Sequence, residues 1–117
     1  MRVPILIIIY FLALATGPVQ PASTAEITAE QRDFFESKVR PLLASKCYAC
    51  HSQKAKAVKG GLLLDSLSGV TKGGDSGPVV IAGDPEKSLL IAAIEYRDTE
   101  MPPDGKLARE QIATLTK

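Results

Sequence analysis

The stretch Cys47-Tyr48-Ala49-Cys50-His51 has the sharpest chemical meaning of any part of this sequence. It places an imidazole directly after two thiols that are separated by two residues. The whole chain contains two cysteines and one histidine, and this stretch holds all three. Any chemistry that needs a thiol or an imidazole must therefore take place here.

The Cys-x-x-Cys-His spacing predicts covalent attachment of one haem, as haem c. Two thiols at this spacing can reach the two vinyl groups on one edge of a porphyrin and form thioether bonds with them. The imidazole that follows can then offer a ring nitrogen to the iron. We therefore predict Cys47 and Cys50 as the attachment residues and His51 as an iron ligand.

Three other kinds of site are consistent with two cysteines at this spacing. A redox-active dithiol is disfavoured because no strand precedes Cys47, as a thioredoxin-like context requires. A zinc site is disfavoured because zinc takes four ligands, and only Cys47, Cys50 and His51 are available. A plain disulfide in an oxidising compartment stays open as the main alternative.

Met101 is the predicted second iron ligand. It is the only methionine apart from the initiator, and it lies in a loop stiffened by Pro102 and Pro103. Its thioether is soft and neutral, which favours Fe(II) and raises the reduction potential relative to a second histidine. The alternative, a loop methionine that only packs, stays open.

Residues 1–25 are predicted to be an export signal. Arg2 supplies a positive start, an apolar run follows from Val3 to Ala15, and Ser23-Thr24-Ala25 offers small residues for cleavage. The run of about 13 residues is too short to span a bilayer comfortably. We expect an exported, periplasmic or cell-envelope protein, and membrane attachment through an uncleaved segment or a lipid is the alternative.

The remaining residues, 26–117, are sufficient for one small domain. Without Arg2 the chain has 13 basic and 13 acidic residues, so this segment is electrically neutral. Nucleic-acid binding needs a basic face, and this balance argues against it. A domain of this size buries a modest fraction of its surface, and a haem would add apolar surface for side chains to cover.

The hydrophobic pattern predicts an all-α domain of helices joined by long loops. The first helix begins at a capping box formed by Thr28 and Gln31, and is expected to run from Ala29 to about Lys46. Pro41 lacks an N–H and is expected to kink this helix near Arg40. The side chains predicted to line its buried face are Phe34, Phe35, Val39, Leu42 and Leu43.

Shorter helices are predicted in the second half of the chain. Asp65 is expected to cap a single helical turn, and Asp84 to cap a helix that ends near Tyr96. A last helix is predicted to begin around Ala108. The side chains expected on the apolar faces of these two longer helices are Leu89, Leu90, Ala93, Ile94, Ile112 and Leu115.

Over residues 35–112 the sequence resembles the planctomycete-type cytochrome c domain. The shared segments, in the same order, are FESKVRPLLASKCYACHS, KGGLLLDS, GGDSGPVVIAGDPEKSLLIAAI and MPPDGKL. The resemblance implies a small cytochrome c-like helical domain wrapped around one haem. Cys47 and Cys50 would bind the haem, and His51 and Met101 would ligate the iron from opposite sides.

The sequence departs from the family pattern at two places. The position of Leu63 is often an arginine in the family, which implies a haem propionate or a surface charge without its partner here. The family pattern also continues past Leu115 into a longer closing helix and then into further domains. We therefore expect the haem domain, residues 26–117, to have a truncated last helix and to be the front of a longer protein.

The expected function is one-electron transfer with an unidentified redox partner or with downstream domains of a longer chain. An enzyme such as a peroxide reductase needs an open iron position. Met101 counts against that, and no residue can be nominated as catalytic. A third class is a haem module of a larger envelope enzyme, without activity of its own.

Overall fold

The computed structural model describes residues 26–117, and the predicted signal peptide, residues 1–25, lies outside them. The α-helices of the described residues are α1 Ala29–Phe34, α2 Arg40–Lys46, α3 Leu67–Lys72, α4 Leu89–Ile94 and α5 Arg109–Thr116. A π-helical turn and two short 3-10 turns lie at Phe35–Val39, Lys59–Gly61 and Pro85–Lys87, respectively.

The fold class agrees with the prediction. Residues 26–117 contain no strand, and one isolated bridge joins Gly74 to Gly77. The all-α class is therefore confirmed. None of the helices in this part of the chain has the length and apolar character needed to cross a membrane.

The first helical segment begins and ends where predicted, but its distortion differs from the predicted proline kink. Its capping box forms as expected, with the Gln31 N–H donating to Thr28 Oγ1 at 3.1 Å and the Thr28 N–H donating to Gln31 Oε1 at 2.9 Å. The expected kink near Arg40 takes the form of the π turn, in which the Arg40 N–H donates to the Phe35 carbonyl. Pro41 then falls in the first turn of α2, where its missing N–H weakens the helix least.

The π turn changes which side chains of this segment face inward. Its wider turn rotates the residues that follow relative to a regular α-helix. Phe35, predicted to be buried, is 39% exposed, and the guanidinium carbon of Arg40 lies 5.2 Å from the centroid of its ring. Leu43 is buried as predicted. The half-buried members of the predicted face are Phe34, Val39 and Leu42.

The helix predicted between Asp84 and Tyr96 is divided at Ser88. The buried Ser88 hydroxyl donates to the Asp84 carbonyl at 2.9 Å and accepts the Ile81 N–H at 2.9 Å. These bonds hold Ser88 in an extended conformation, so a 3-10 turn ends there and α4 begins at Leu89. The buried face shifts accordingly, because Leu89 is exposed and the buried residues are Ile91, Ala92 and Ile94.

Of the two predicted aspartate caps, one forms and the other does not. Asp84 caps its turn as expected, since its carboxylate accepts the Lys87 N–H at 3.2 Å. The prediction for Asp65 is wrong. Ser66 caps α3 instead, and its hydroxyl accepts the Gly69 N–H at 3.1 Å.

The last helix, α5, closes the hydrophobic core. It begins where predicted, with Ala108 as its N-cap. It also packs against the π turn, and the Lys117 ammonium lies 4.7 Å from the centroid of the Phe34 ring. The first and last helices are therefore neighbours. The buried core consists of Ile91, Ile94 and Leu107, with Leu90, Ile112 and Leu115 packed against it.

Hydrogen bonds divide the described chain into two segments. No hydrogen bond or ion pair within residues 26–117 joins residues 26–78 to residues 79–117. Packing between α5 and the first helical segment connects them instead. Cys47, Cys50 and His51 lie in the first segment, and Met101 lies in the second.

Truncation of Ile94 tests the position of the core. Ile94 is 1% exposed, so Ile94→Ala should lower the free energy of unfolding by roughly 2–5 kcal/mol through lost burial and the cavity left behind. The matched control is Ile27→Ala, because Ile27 is 64% exposed and should change stability by about 0.5 kcal/mol or less. Denaturant titration of the haem-loaded protein provides the measurement, and equal midpoints for both variants would contradict this core.

Two glycines with the same positive φ offer a second test. Gly73 and Gly83 both have φ of 76°. A Cβ at Gly73 would lie 2.2 Å from the Gly77 carbonyl oxygen, whereas a Cβ at Gly83 would meet nothing within 4 Å. Gly83→Ala should therefore cost about 1–2 kcal/mol for the left-handed conformation alone. Gly73→Ala should lower the unfolding midpoint clearly further, and equal losses would show that the Gly73–Gly77 approach is not as close as described.

Candidate functional site

The Cys47–His51 stretch forms a compact turn at the carboxyl end of α2. The Cys47 N–H donates to the Leu43 carbonyl at 2.8 Å, which continues the helical pattern for one more residue. The Cys47 carbonyl then accepts the N–H of Cys50 at 3.1 Å and that of His51 at 2.9 Å. Both thiols and the imidazole are thereby fixed to one turn of backbone.

The loop that follows returns to this turn and holds it from the outside. The Cys50 carbonyl accepts the Lys59 N–H at 3.0 Å, and the His51 carbonyl accepts the Leu64 N–H at 2.9 Å. Leu64 is buried, so the second bond is shielded from water. The turn is therefore braced by chain that lies nine to thirteen residues further along.

Two polar side chains add to this bracing, and sequence reasoning assigned neither of them to the site. The buried Ser52 hydroxyl donates to the Tyr48 carbonyl at 2.7 Å. The Asp65 carboxylate accepts the Gln53 N–H at 2.9 Å through Oδ2, which explains why it does not cap α3. The Ser52 bond is local to the turn, whereas the Asp65 bond joins residues twelve apart and depends on the return of the loop.

The two cysteines have the chemistry that haem attachment needs. Both are half-buried, and they are free thiols rather than a disulfide. Burial raises the pKa of the Cys47 thiol, so that thiol is protonated at neutral pH. Within residues 26–117 there is no group of three or more histidine, cysteine, aspartate or glutamate side chains placed to hold a metal ion.

One ring nitrogen of His51 has no partner among residues 26–117. Its Nδ1 is buried and forms no hydrogen bond with any of these residues. An unpaired buried polar atom is unfavourable in a folded protein and marks a place where a further group belongs. Two free thiols and this imidazole on one turn fit a covalently bound haem.

Met101 lies on a separate loop between α4 and α5. The residue is half-buried, and its N–H donates to the Ala93 carbonyl at 3.1 Å. The next residue, Pro102, is buried, and its carbonyl accepts the Tyr96 hydroxyl at 2.7 Å. No hydrogen bond within residues 26–117 joins this loop to the Cys47–His51 turn.

The end of α4 has the hydrogen bonds of a Schellman motif. The Arg97 N–H donates to the Ala92 carbonyl at 2.9 Å, and the Tyr96 N–H donates to the Ala93 carbonyl at 3.1 Å. Glycine usually occupies the position of Tyr96, because φ there is positive. Tyr96 has φ of 63°, which costs a non-glycine residue about 1–2 kcal/mol. In the sequence, this feature shows only as the lack of a glycine where the helix ends.

The Lys106 ammonium lies over the Tyr96 ring. It donates to the Glu95 carbonyl at 2.7 Å and lies 5.4 Å from the centroid of the ring. Desolvation raises the pKa of the Tyr96 phenol, and the charges of Glu100 and Asp104 raise it further. The phenol is therefore a hydrogen-bond donor at neutral pH.

A cavity of about 840 Å³ adjoins the turn on the side of Cys50. Its lining combines several alanines with four basic side chains, and Asp65 is its acidic residue. Neither His51 nor Met101 lines it, so it does not lie between the two predicted iron ligands. The residues that surround it include Arg40, Tyr48, Ala49, Lys54, Lys56 and Lys59.

Of three comparisons with known proteins, the scan against family models found a match. A scan against protein-family models matches residues 47–105 to Planctomycete cytochrome C, and the match covers half of the chain, from Cys47 to just beyond Met101. Searches of curated proteins and of solved structures found no match. The chain therefore belongs to the planctomycete cytochrome c family, whose cytochrome c domain is associated with haem binding and electron transfer.

Proposed function

We propose that this chain is an exported c-type cytochrome domain that binds one haem covalently and transfers one electron at a time. The Cys47–His51 turn is the observation that supports it most directly. There, two free thiols and an imidazole with an unpartnered Nδ1 lie together inside the segment that matches the family. The haem would supply an iron that changes between Fe(III) and Fe(II).

In this proposal each site residue has a separate task. Cys47 and Cys50 hold the porphyrin through thioether bonds, and His51 gives a ring nitrogen to the iron. Met101 would give its sulfur to the same iron, which would favour Fe(II). The braced turn and the Met101 loop keep these atoms in place, so that little reorganisation accompanies electron transfer.

Electron transfer suits this site better than catalysis. A haem enzyme that reduces peroxide needs an iron position open to its substrate, and two protein ligands would fill both axial positions. We therefore propose no catalytic residue. The electron donor or acceptor would be a redox partner protein or downstream domains of a longer chain, in the periplasm or cell envelope.

Covalent attachment is tested by replacing both thiols. When the protein is co-expressed with a cytochrome c maturation system, haem should remain with the wild-type chain through denaturing electrophoresis and acid–acetone extraction. Cys47→Ser combined with Cys50→Ser should abolish this retention, and Met101→Ala, the control, should preserve it. Recovery of the wild-type chain without haem and with a Cys47–Cys50 disulfide would disprove the proposal.

The sixth ligand is tested with Met101→Ala. The ferric wild-type protein should show the weak near-infrared charge-transfer band of a methionine–iron bond, and the variant should lack it. The variant should also bind cyanide faster and have a lower reduction potential, because its iron position is open and the thioether no longer favours Fe(II). An unchanged spectrum in Met101→Ala would reassign Met101 to packing and reopen the enzyme alternative.

A further inference from the structure

Two hydrogen bonds fasten the Met101 loop to the end of α4. The first runs from the Met101 N–H to the Ala93 carbonyl at 3.1 Å, and the second from the Tyr96 hydroxyl to the Pro102 carbonyl at 2.7 Å. They hold the backbone on both sides of the Met101 side chain. The second bond depends on a side chain, so it is the one that substitution can remove.

Tyr96 occupies a position where its own backbone is strained. A glycine would complete the same helix cap without that strain, since φ is 63° and the cap hydrogen bonds are made by backbone atoms. What glycine cannot supply is the phenol that reaches Pro102. Strained residues persist where the surrounding structure requires them, often at functional sites. The phenol bond to Pro102 and the ring contact with the Lys106 ammonium are the contacts that offset the strain, and the phenol bond is the one that reaches the Met101 loop.

We propose that Tyr96 is a positioning residue that keeps Met101 at the iron. The inference rests on the proposed function, in which Met101 is the sixth ligand. Because Pro102 directly follows Met101, movement of the methionine away from the iron displaces the Pro102 carbonyl from the Tyr96 hydroxyl. Loss of the phenol therefore favours the form in which Met101 has left the iron.

Cyanide binding to the ferric, haem-loaded protein measures that form, since cyanide needs the position that Met101 vacates. Tyr96→Phe retains the ring and removes only the hydroxyl. It should bind cyanide roughly five- to tenfold faster than wild type, the factor that corresponds to one hydrogen bond of about 1–1.4 kcal/mol. The near-infrared methionine–iron band should also disappear at a lower denaturant concentration than in wild type.

Two further variants separate positioning from stability. Tyr96→Gly relieves the backbone strain while removing the phenol, and it should also bind cyanide faster than wild type. Thr28→Ala removes the cap hydrogen bond that the Gln31 N–H donates. Among the described residues, no hydrogen bond joins this helix to the Met101 loop. This variant should lower the unfolding midpoint and leave the cyanide rate unchanged.

The outcomes distinguish this inference from the proposed function. Fast binding in Met101→Ala with a wild-type rate in Tyr96→Phe would overturn the role of Tyr96 and leave the ligand assignment intact. The role of Tyr96 would also fall if Tyr96→Gly matched wild type, or if Thr28→Ala bound cyanide as fast as Tyr96→Phe. Wild-type behaviour of Met101→Ala would overturn both.

Discussion

The backbone carbonyls of the Cys47–His51 turn are the constraint on which the first segment of the chain depends. They accept hydrogen bonds from within the turn and from the loop that follows it, at Lys59 and Leu64. A later loop in turn approaches Gly60 closely, and the absence of a side chain at Gly74 allows it to do so. The Asp75 N–H reaches the Gly60 carbonyl at 2.8 Å, and a Cβ at Gly74 would lie 2.6 Å from the same oxygen.

The second segment is organised differently, because side chains supply many of its hydrogen-bond donors. The hydroxyl of Ser88, the phenol of Tyr96 and the ammonium of Lys106 each donate to a backbone carbonyl near α4. The apolar core lies beside them, around Ile94. The cysteine turn is thus held mainly through the backbone, whereas the methionine loop is held in part through particular side chains.

This difference explains how much the sequence could reveal. The capping box at Thr28 is a local pattern and correctly predicts a helix start, and the Cys-x-x-Cys-His motif is a local pattern whose residues lie on one turn. The break at Ser88, the bond from Gln53 to Asp65 and the strained Tyr96 depend on partners brought near by the fold. Periodicity carries no information about such partners, so the predicted apolar face of α4 was wrong where Ser88 restarts the helix.

The division of the described hydrogen bonds into two segments also bears on how the domain would open. Packing between α5 and the first helical segment, including the Lys117 ammonium over the Phe34 ring, joins the two segments without a hydrogen bond among the described residues. An iron atom bonded to His51 and to Met101 would bridge the two segments directly. Ligand exchange at that iron would then decide whether they unfold as one cooperative unit or as two independent ones.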